Sequence, residues 1–387
     1  MTGTRYQTDA LIIGGGVIGC AIAYELAKAG VKALVLEKET LGSQSTRAGA
    51  GMLGAQVEMM EPGPFFELGI KSRALFPNLQ EELRELSGID MELQTPGIFR
   101  VAVDEADRAA LLARQSWQTA AGQRAVWFED EELRSELGDL LTPKFGALYL
   151  PDDHQVRNPQ LLLALAASAK RLGVQFIEQT AMVGFLEENG AVVGVKTIEG
   201  EVRANRVILA AGAWTGLIAN QLGLELPIYP VRGQSFLLDS FAPPTPFTIY
   251  THGCYILPKR NGQVYVGATE EPQAGFDRRP NLRSLAVLST QAINLFPSIG
   301  QLPFAAPLAG LRPGSRDGLP FLGPVPGIEG LYLASGHFRN GVLLSAITGR
   351  VIAELLTGNA PSVDLTPFAV DRKVVPQTAD TTPTHSI

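Results

Sequence analysis

Apolar positions along this chain group into short unbroken runs separated by glycine-rich turns. Ala10-Leu11-Ile12-Ile13 is the first; three glycines follow, then an alanine- and leucine-rich stretch from Val17 to Ala29, a stop at Gly30, and a second run, Ala33-Leu34-Val35-Leu36. A run that is apolar at every position marks a strand buried on both faces, and a helix joining two such strands is a βαβ unit of a parallel sheet. The same pattern returns later. Leu161–Leu172 reads as a helix with Asn158-Pro159 as N-cap and N1, and Val174–Ile177 as a strand. Met182–Val195 reads as a hairpin about Glu188-Asn189-Gly190, and Arg206–Ala210 as another buried strand. Leu331–Ala334 and Val342–Leu356 close the series as strand and helix.

Two stretches differ. Residues 92–150 and 226–323 carry short β-like runs such as Ile98–Val101 and Val264–Val266 between proline-rich turns. The pattern therefore predicts an α/β protein: a Rossmann-like, doubly wound and mostly parallel nucleotide-binding domain from residues 1–91, 151–225 and 324–373. A mostly antiparallel substrate domain, 92–150 and 226–323, is inserted into it. Residues 374–387 read as a loose polar tail.

Composition narrows the class. The chain has 387 residues, 45% hydrophobic and only 18% charged, so two large cores are within reach. A net charge of −7 excludes a basic nucleic-acid footprint or polybasic membrane patch. Two cysteines, Cys20 and Cys254, make no disulfide framework, and His154, His252, His337 and His385 have no metal-ligand spacing. No membrane span is expected, and a reducing, cytoplasmic setting is.

The chemistry begins at Gly14-Gly15-Gly16-Val17-Ile18-Gly19, a G-x-G-x-x-G between strand and helix. Gly14 serves the tight turn, Gly16 lets a pyrophosphate touch the backbone, and Gly19 lets helix and strand pack closely. Glu37, 18 residues after Gly19 at the end of the second strand, is placed to bind ribose hydroxyls. Residues Gly42–Leu53 are small, polar and glycine-rich, suited to run along an extended cofactor or to form an ordinary loop. Near residue 341 a strand gives way to a helix, with Gly336-His337-Phe338-Arg339-Asn340-Gly341-Val342-Leu343 between them. His337 reads either as a general base or, better, as loop scaffold. Arg312 reads as a planar grip on a carboxylate or as the ion-pair partner of Asp317, and Tyr255, from its apolar neighbours, as a core tyrosine.

Together these segments resemble the D-amino-acid-oxidase-like flavoproteins, and within them the branch that oxidises glycine for the thiazole of thiamine. The resemblance spans roughly residues 7–373. It rests on GGGVIGCAIAYELA, AGMLGAQ, CYILPKRNGQVYVGAT, LAGLRPGSRDGLPFLG, ASGHFRNGVLL and FAVDRK. It implies that Val17, Ile18, Glu37, Lys38, Ser45, Thr46, Ala50, Gly51, Met52 and the backbone at Met182 hold FAD, and that His337 through Leu343 line its isoalloxazine. It further implies that Arg312 binds the substrate carboxylate with help from the Tyr255 hydroxyl, and that Arg339 lies near both substrate and flavin. No side chain is then needed as acid or base, because the flavin carries the redox step. The implied substrates are glycine, sarcosine or small D-amino acids, with O2 reduced to H2O2, in a homo-oligomer that is often a tetramer. Glu270 departs from the pattern, standing where that branch has a methionine near the pocket; it either reshapes substrate preference or points to solvent. Monomeric sarcosine oxidases attach FAD through a cysteine in the segment matching Ala306–Asp317; this chain has none there, so non-covalent FAD is expected. A dehydrogenase passing electrons to a quinone or another carrier shares every one of these motifs, and a non-catalytic flavin-binding module shares the nucleotide ones. An NAD(P)H-using flavoprotein would want a second nucleotide site, which is not visible.

Overall fold

The computed structural model describes residues 4–138, 145–243 and 245–375. Most of the expected tail, 374–387, lies outside them.

The first sheet runs in the order Phe321–Pro324, Leu331–Ser335, Gly200–Leu209, Thr4–Ile13, Ala33–Leu36, Gln175–Ile177. All pairs along this path are parallel except the edge pair 321–324 with 331–335. The apolar run 10–13 is buried because both faces are covered. Ala10, Ile12, Val35 and Ile208 pack on the helices Val17–Lys28, Asn158–Arg171 and Ser345–Leu356. Leu11, Ile13, Leu34 and Leu209 pack on the opposite layer, with Phe185, Val195 and Val202. That layer comes from the hairpin Met182–Glu188 and Ala191–Thr197, whose two central residues, Asn189 and Gly190, have φ of 52° and 83° as a type I′ turn requires. Gly200–Leu209 pairs with the hairpin on one side through residues 200–203 and with the central strand on the other through residues 201–209.

The second sheet takes its eight strands from within 92–150 and 226–323, in the order Phe304–Ser315, Ile228–Asp239, Gln263–Gly267, Tyr255–Pro258, Thr248–Tyr250, Ile98–Val101, Ala147–Leu150, Val126–Phe128. Its pairs are antiparallel except 248–250 with 98–101.

Several elements differ from the pattern-based expectation. The edge strand Phe321–Pro324 belongs to the first sheet, three residues across the boundary placed at 323/324. The inserted stretches also carry helices: Glu105–Ala120 capped by the Asp104 carboxylate, Asp130–Leu137 with a Glu129/Glu132 capping box, and Leu282–Leu295 capped by Asn281. A long helix, Pro64–Ser87, begins with proline at its first turn and ends at Gly88 with φ 75°. Asn158 is not an N-cap. It is the first helical residue, and its amide instead donates to the Thr46 carbonyl at 3.2 Å. The last helix starts at Ser345, after a 3₁₀ turn over Phe338–Asn340.

Candidate functional site

Both sheets contribute to the walls of one cavity of about 360 Å³. Its nucleotide end is the turn after the central strand. Gly14 has φ +114°, and a Cβ there would lie 2.9 Å from the Ala210 carbonyl carbon; a Cβ on Gly19 would collide with the Gly14 carbonyl. These two glycines are demanded by packing. Gly16 is not: its φ is an ordinary −79°, and a Cβ would meet only the Thr46 hydroxyl at 3.5 Å. The space it leaves opens into the cavity, at the N-terminus of the helix Val17–Lys28, where backbone N–H groups and the helix dipole favour an anion. The Thr46 hydroxyl accepts from the Val17 N–H at 3.1 Å. Glu37 is 8% exposed and is fixed by the N–H groups of Gly15 (2.7 Å) and Glu39 (2.9 Å). The Lys38 ammonium sits 3.5 Å from the centroid of the Trp214 ring, and burial lowers its pKa.

The middle of the wall is the loop after the second strand. Ser45–Ala48 forms one helical turn, and the Ser45 hydroxyl donates to the Leu311 carbonyl of the second sheet. Ala50, Gly51 and Met52 line the cavity beside Met182. Behind them Lys259 is buried, its ammonium donating to Ala50 O (2.6 Å), Gln155 Oε1 (2.7 Å) and Val156 O (3.2 Å). Burial pulls its pKa down to about 7.

His337–Val342 line the side opposite that loop. His337 is 2% exposed, its Nε2 lies 3.0 Å from the Thr348 hydroxyl, and burial pulls its pKa down to about 3. The imidazole is thus neutral at pH 7, with one nitrogen engaged by a threonine. The Ser72 hydroxyl, on the long helix, donates to the Leu343 carbonyl at 2.5 Å and ties down the end of this loop. Leu343 itself is buried in the core, and neither it nor Gly19, Gly336 or Glu270 lines the cavity.

Two arginines face the far end. Arg312, on the edge strand 304–315, is laid over Gly233 of the neighbouring strand, where a Cβ would come within 2.5 Å of its Nη1. Its Nη1 donates to the Thr269 carbonyl at 2.8 Å, and its charge opposes the burial that raises the pKa of the neighbouring Tyr255. Among the described residues no carboxylate lies within ion-pair distance of it. Asp317, the alternative partner considered above, is gripped from both oxygens by Arg372, at 2.8 and 2.9 Å. Arg339 is surrounded differently. Its Nε and Nη2 hold both oxygens of Glu58 at 2.8 and 3.1 Å, Nη1 pairs with Glu270, and Nη2 also donates to the Tyr250 hydroxyl at 2.5 Å. Burial alone would lower its pKa, but Glu58, Tyr250 and Glu270 outweigh that and push it well above the ordinary arginine value. Glu270, 13% exposed at its side chain, therefore points to an arginine rather than to solvent. The rings of Tyr250, Tyr255 and Tyr265 stack in series at centroid spacings of 5.5 and 6.1 Å, with the last two lining the cavity.

Glu58, Tyr265, Gly233 and Trp214 also form this wall and were not singled out from the sequence. A glycine inside a long strand does signal close backbone approach, which is the role Gly233 plays. A lone acid in the apolar stretch Gly54–Met60 was the available hint of Glu58.

The walls fit an extended dinucleotide. Gly16 leaves room that packing does not require, a buried acid stands at the end of the second strand, and the cavity continues past the loop to the arginines. Cys20 and Cys254 are buried thiols, pushed up to about 12 and about 11 by burial, and neither lines the cavity. Among the described residues there is no metal-binding cluster and no helix long and apolar enough to cross a membrane.

Residues 9–355 match the family described as FAD dependent oxidoreductase. The chain is 38% identical over 371 residues to a glycine oxidase of Geobacillus kaustophilus, covering 95% of this chain and 98% of that one. It superposes on a crystal structure of glycine oxidase from the same organism with a TM-score of 0.93, at 37% identity, over 96% and 100% of the two chains. It is also 34% identical over 372 residues to a Synechocystis protein named bifunctional protein ThiO/ThiG, covering 94% of this chain and 54% of that one.

Proposed function

The chain belongs to the family of FAD-dependent oxidoreductases, and from that premise we propose that it is a glycine oxidase, acting also on sarcosine or small D-amino acids. The net reaction is glycine plus O2 plus water to glyoxylate, ammonia and H2O2. Bound FAD supplies the two-electron acceptor for the substrate Cα–H and the reductant for O2. Gly14, Gly16, Val17, Ile18, Glu37, Lys38, Ser45, Thr46, Ala50, Gly51, Met52 and Met182 would hold it, with His337–Val342 along the ring. Gly19, Gly336 and Leu343 would act from behind the wall.

The observation that carries the reading is Arg312: a guanidinium on the cavity wall, with no carboxylate within ion-pair distance among the described residues and Tyr255 beside it. A planar fork without an acidic partner suits a carboxylate ligand, which it can bind through two parallel hydrogen bonds. Gripping that end fixes the direction of the substrate Cα–H, and such orientation removes several kcal/mol from a barrier. Arg339, saturated by Glu58, Glu270 and Tyr250, shapes the wall instead of binding a second anion. The neutral His337 holds its loop and moves no proton. The 38% identical glycine oxidase supports this assignment of substrate. The ThiO/ThiG relative supports a place in thiazole formation. Homo-oligomer assembly belongs to the same proposal, read by light scattering against the 41.4 kDa chain.

The test is oxygen uptake by the purified holoprotein with glycine, peroxide counted against oxygen consumed. Stoichiometric peroxide is the expected outcome. Flavin bleaching without uptake would assign a dehydrogenase with another acceptor, and an unbleached flavin would remove glycine as the substrate.

A further inference from the structure

Three consecutive residues, Thr269-Glu270-Glu271, each engage a different arginine. The Thr269 carbonyl accepts from Arg312, the Glu270 carboxylate pairs with Arg339, and the Glu271 carboxylate takes Arg232. Glu271 does not line the cavity, yet it is the most heavily bonded acid near it. Its Oε1 accepts from the Thr269 hydroxyl (2.7 Å), Gln234 Nε2 (2.7 Å) and the Ser284 hydroxyl (2.9 Å). Its Oε2 accepts from Arg232 Nε (3.0 Å) and Nη2 (2.6 Å). Burial would raise its pKa, but the hydrogen bonds from Thr269, Arg232, Ser284 and Gln234 outweigh that and hold it below the ordinary carboxylate range.

These bonds fix Thr269 from every side. Its hydroxyl donates to Glu271 while accepting from the Gln234 N–H at 3.0 Å, and its own N–H donates to the Gln234 carbonyl at 3.1 Å. That leaves its carbonyl aimed at Arg312 Nη1. Gly233, adjacent to Gln234, supplies the floor on which the same guanidinium lies. Arg312 is therefore held from two directions, by an acceptor at one corner and a bare backbone beneath, with no carboxylate involved.

We propose that Gly233 and Glu271 are positioning residues for Arg312: together with Thr269 they set the plane of its guanidinium so that one edge stays open to a substrate carboxylate. The seat achieves this without neutralising the arginine. A carboxylate placed directly against Arg312 would hold it as firmly but would compete with the ligand. Glu271 keeps its negative charge on Arg232 and passes only a carbonyl forward.

This inference rests on the reading of Arg312 as the carboxylate grip, and the experiment separates the two. Holoenzyme of wild type, Arg312→Ala, Gly233→Ala and Glu271→Gln is compared for glycine KM and kcat by oxygen uptake. Acetate Kd is read from the perturbation of the flavin spectrum, and FAD affinity is measured on each variant. Gly233→Ala and Glu271→Gln are each expected to raise KM and acetate Kd together by about tenfold, with kcat within about threefold and FAD affinity unchanged. Glu271→Asp should recover part of the loss. If Arg312→Ala leaves KM and acetate binding at wild-type values, the grip itself is wrong. If Arg312→Ala weakens both while either Gly233→Ala or Glu271→Gln keeps wild-type values, the seat is wrong and the grip stands. A KM that rises only in step with loss of FAD also overturns the seat.

Discussion

At the glycine-turn end of the cavity the wall is mostly backbone, shaped by the absence of side chains; at the arginine end it is mostly charged side chains held by one another. Gly14 and Gly19 are required by contacts inside the protein, and Gly16 by space outside it. Apart from the Ala210 carbonyl over Gly14, that turn is built from residues close in sequence. The far end instead needs Arg312 and Glu58 from distant segments, and its two arginines end in opposite states. Arg339 is enclosed by two carboxylates and a phenol, whereas Arg312 is held by a carbonyl and a glycine, with a tyrosine beside it. A buried positive charge can thus be a structural member or a binding group, and what decides is whether an acid stands within reach.

The largest effect should come from filling the empty space. Gly16→Val is expected to yield a folded but colourless protein, read by absorbance at the flavin bands, because the side chain takes volume that the protein itself leaves free. Arg312→Ala should lower kcat/KM for glycine by about 10³-fold, worth about 4 kcal/mol, chiefly through KM, with little change in thermal stability since no buried acid loses its partner. Arg339→Met should do the reverse. Urea denaturation is expected to report a loss of about 3 kcal/mol, because Glu58 and Glu270 are left buried without their counter-charge. Equal stability losses in the two arginine variants would erase the distinction drawn between them.

A smaller effect concerns pH. His337 resists protonation in the native state down to about pH 3, whereas in the unfolded chain it takes a proton near 6.5. Stability must therefore decline as pH falls through that window, by about 2 kcal/mol between pH 7 and 5 from this residue. His337→Asn should flatten the decline by that amount in paired denaturation curves, and no limb of the kcat profile between pH 5 and 8 should belong to it. Smallest is Glu270→Gln. Glu58 still holds Arg339, so a stability loss of about 1 kcal/mol is expected with glycine KM within threefold. A tenfold change in KM would mean that Glu270 touches substrate.

The same contrast explains what could be read from residue order. The unbroken run 10–13, the glycine triplet and Glu37 lie within one βαβ unit, where spacing alone dictates proximity. The strand ending at Leu209 was expected only from Arg206, because its first half alternates buried and exposed residues as part of the three-stranded layer. Asn158 looked like a cap because it precedes a proline, and the tertiary contact with Thr46 overrode that local preference. Helices 105–120 and 282–295 carried legible caps at Asp104 and Asn281 that the β-like runs around them obscured. Arg312 and Asp317 are five residues apart, close enough to suggest a pair; only the fold brings Arg372 from the far end of the chain to take the acid. Glu58 with Arg339, and Thr269 with Arg312, are similarly non-local, and no periodicity announces them.

The cavity wall begins at Ile13 and is completed at Val342. The strand that opens the glycine turn pairs with residues 201–209, which in turn pair with 331–333. During synthesis from the N-terminus the glycine turn is made some three hundred residues before the loop 337–342 that completes the wall. The energy of holding the cofactor is therefore withheld until that loop has been made, and a product cut short before residue 337 would keep its glycine turn while lacking the opposing wall. A bound flavin therefore reports that two segments more than three hundred residues apart in the chain have met.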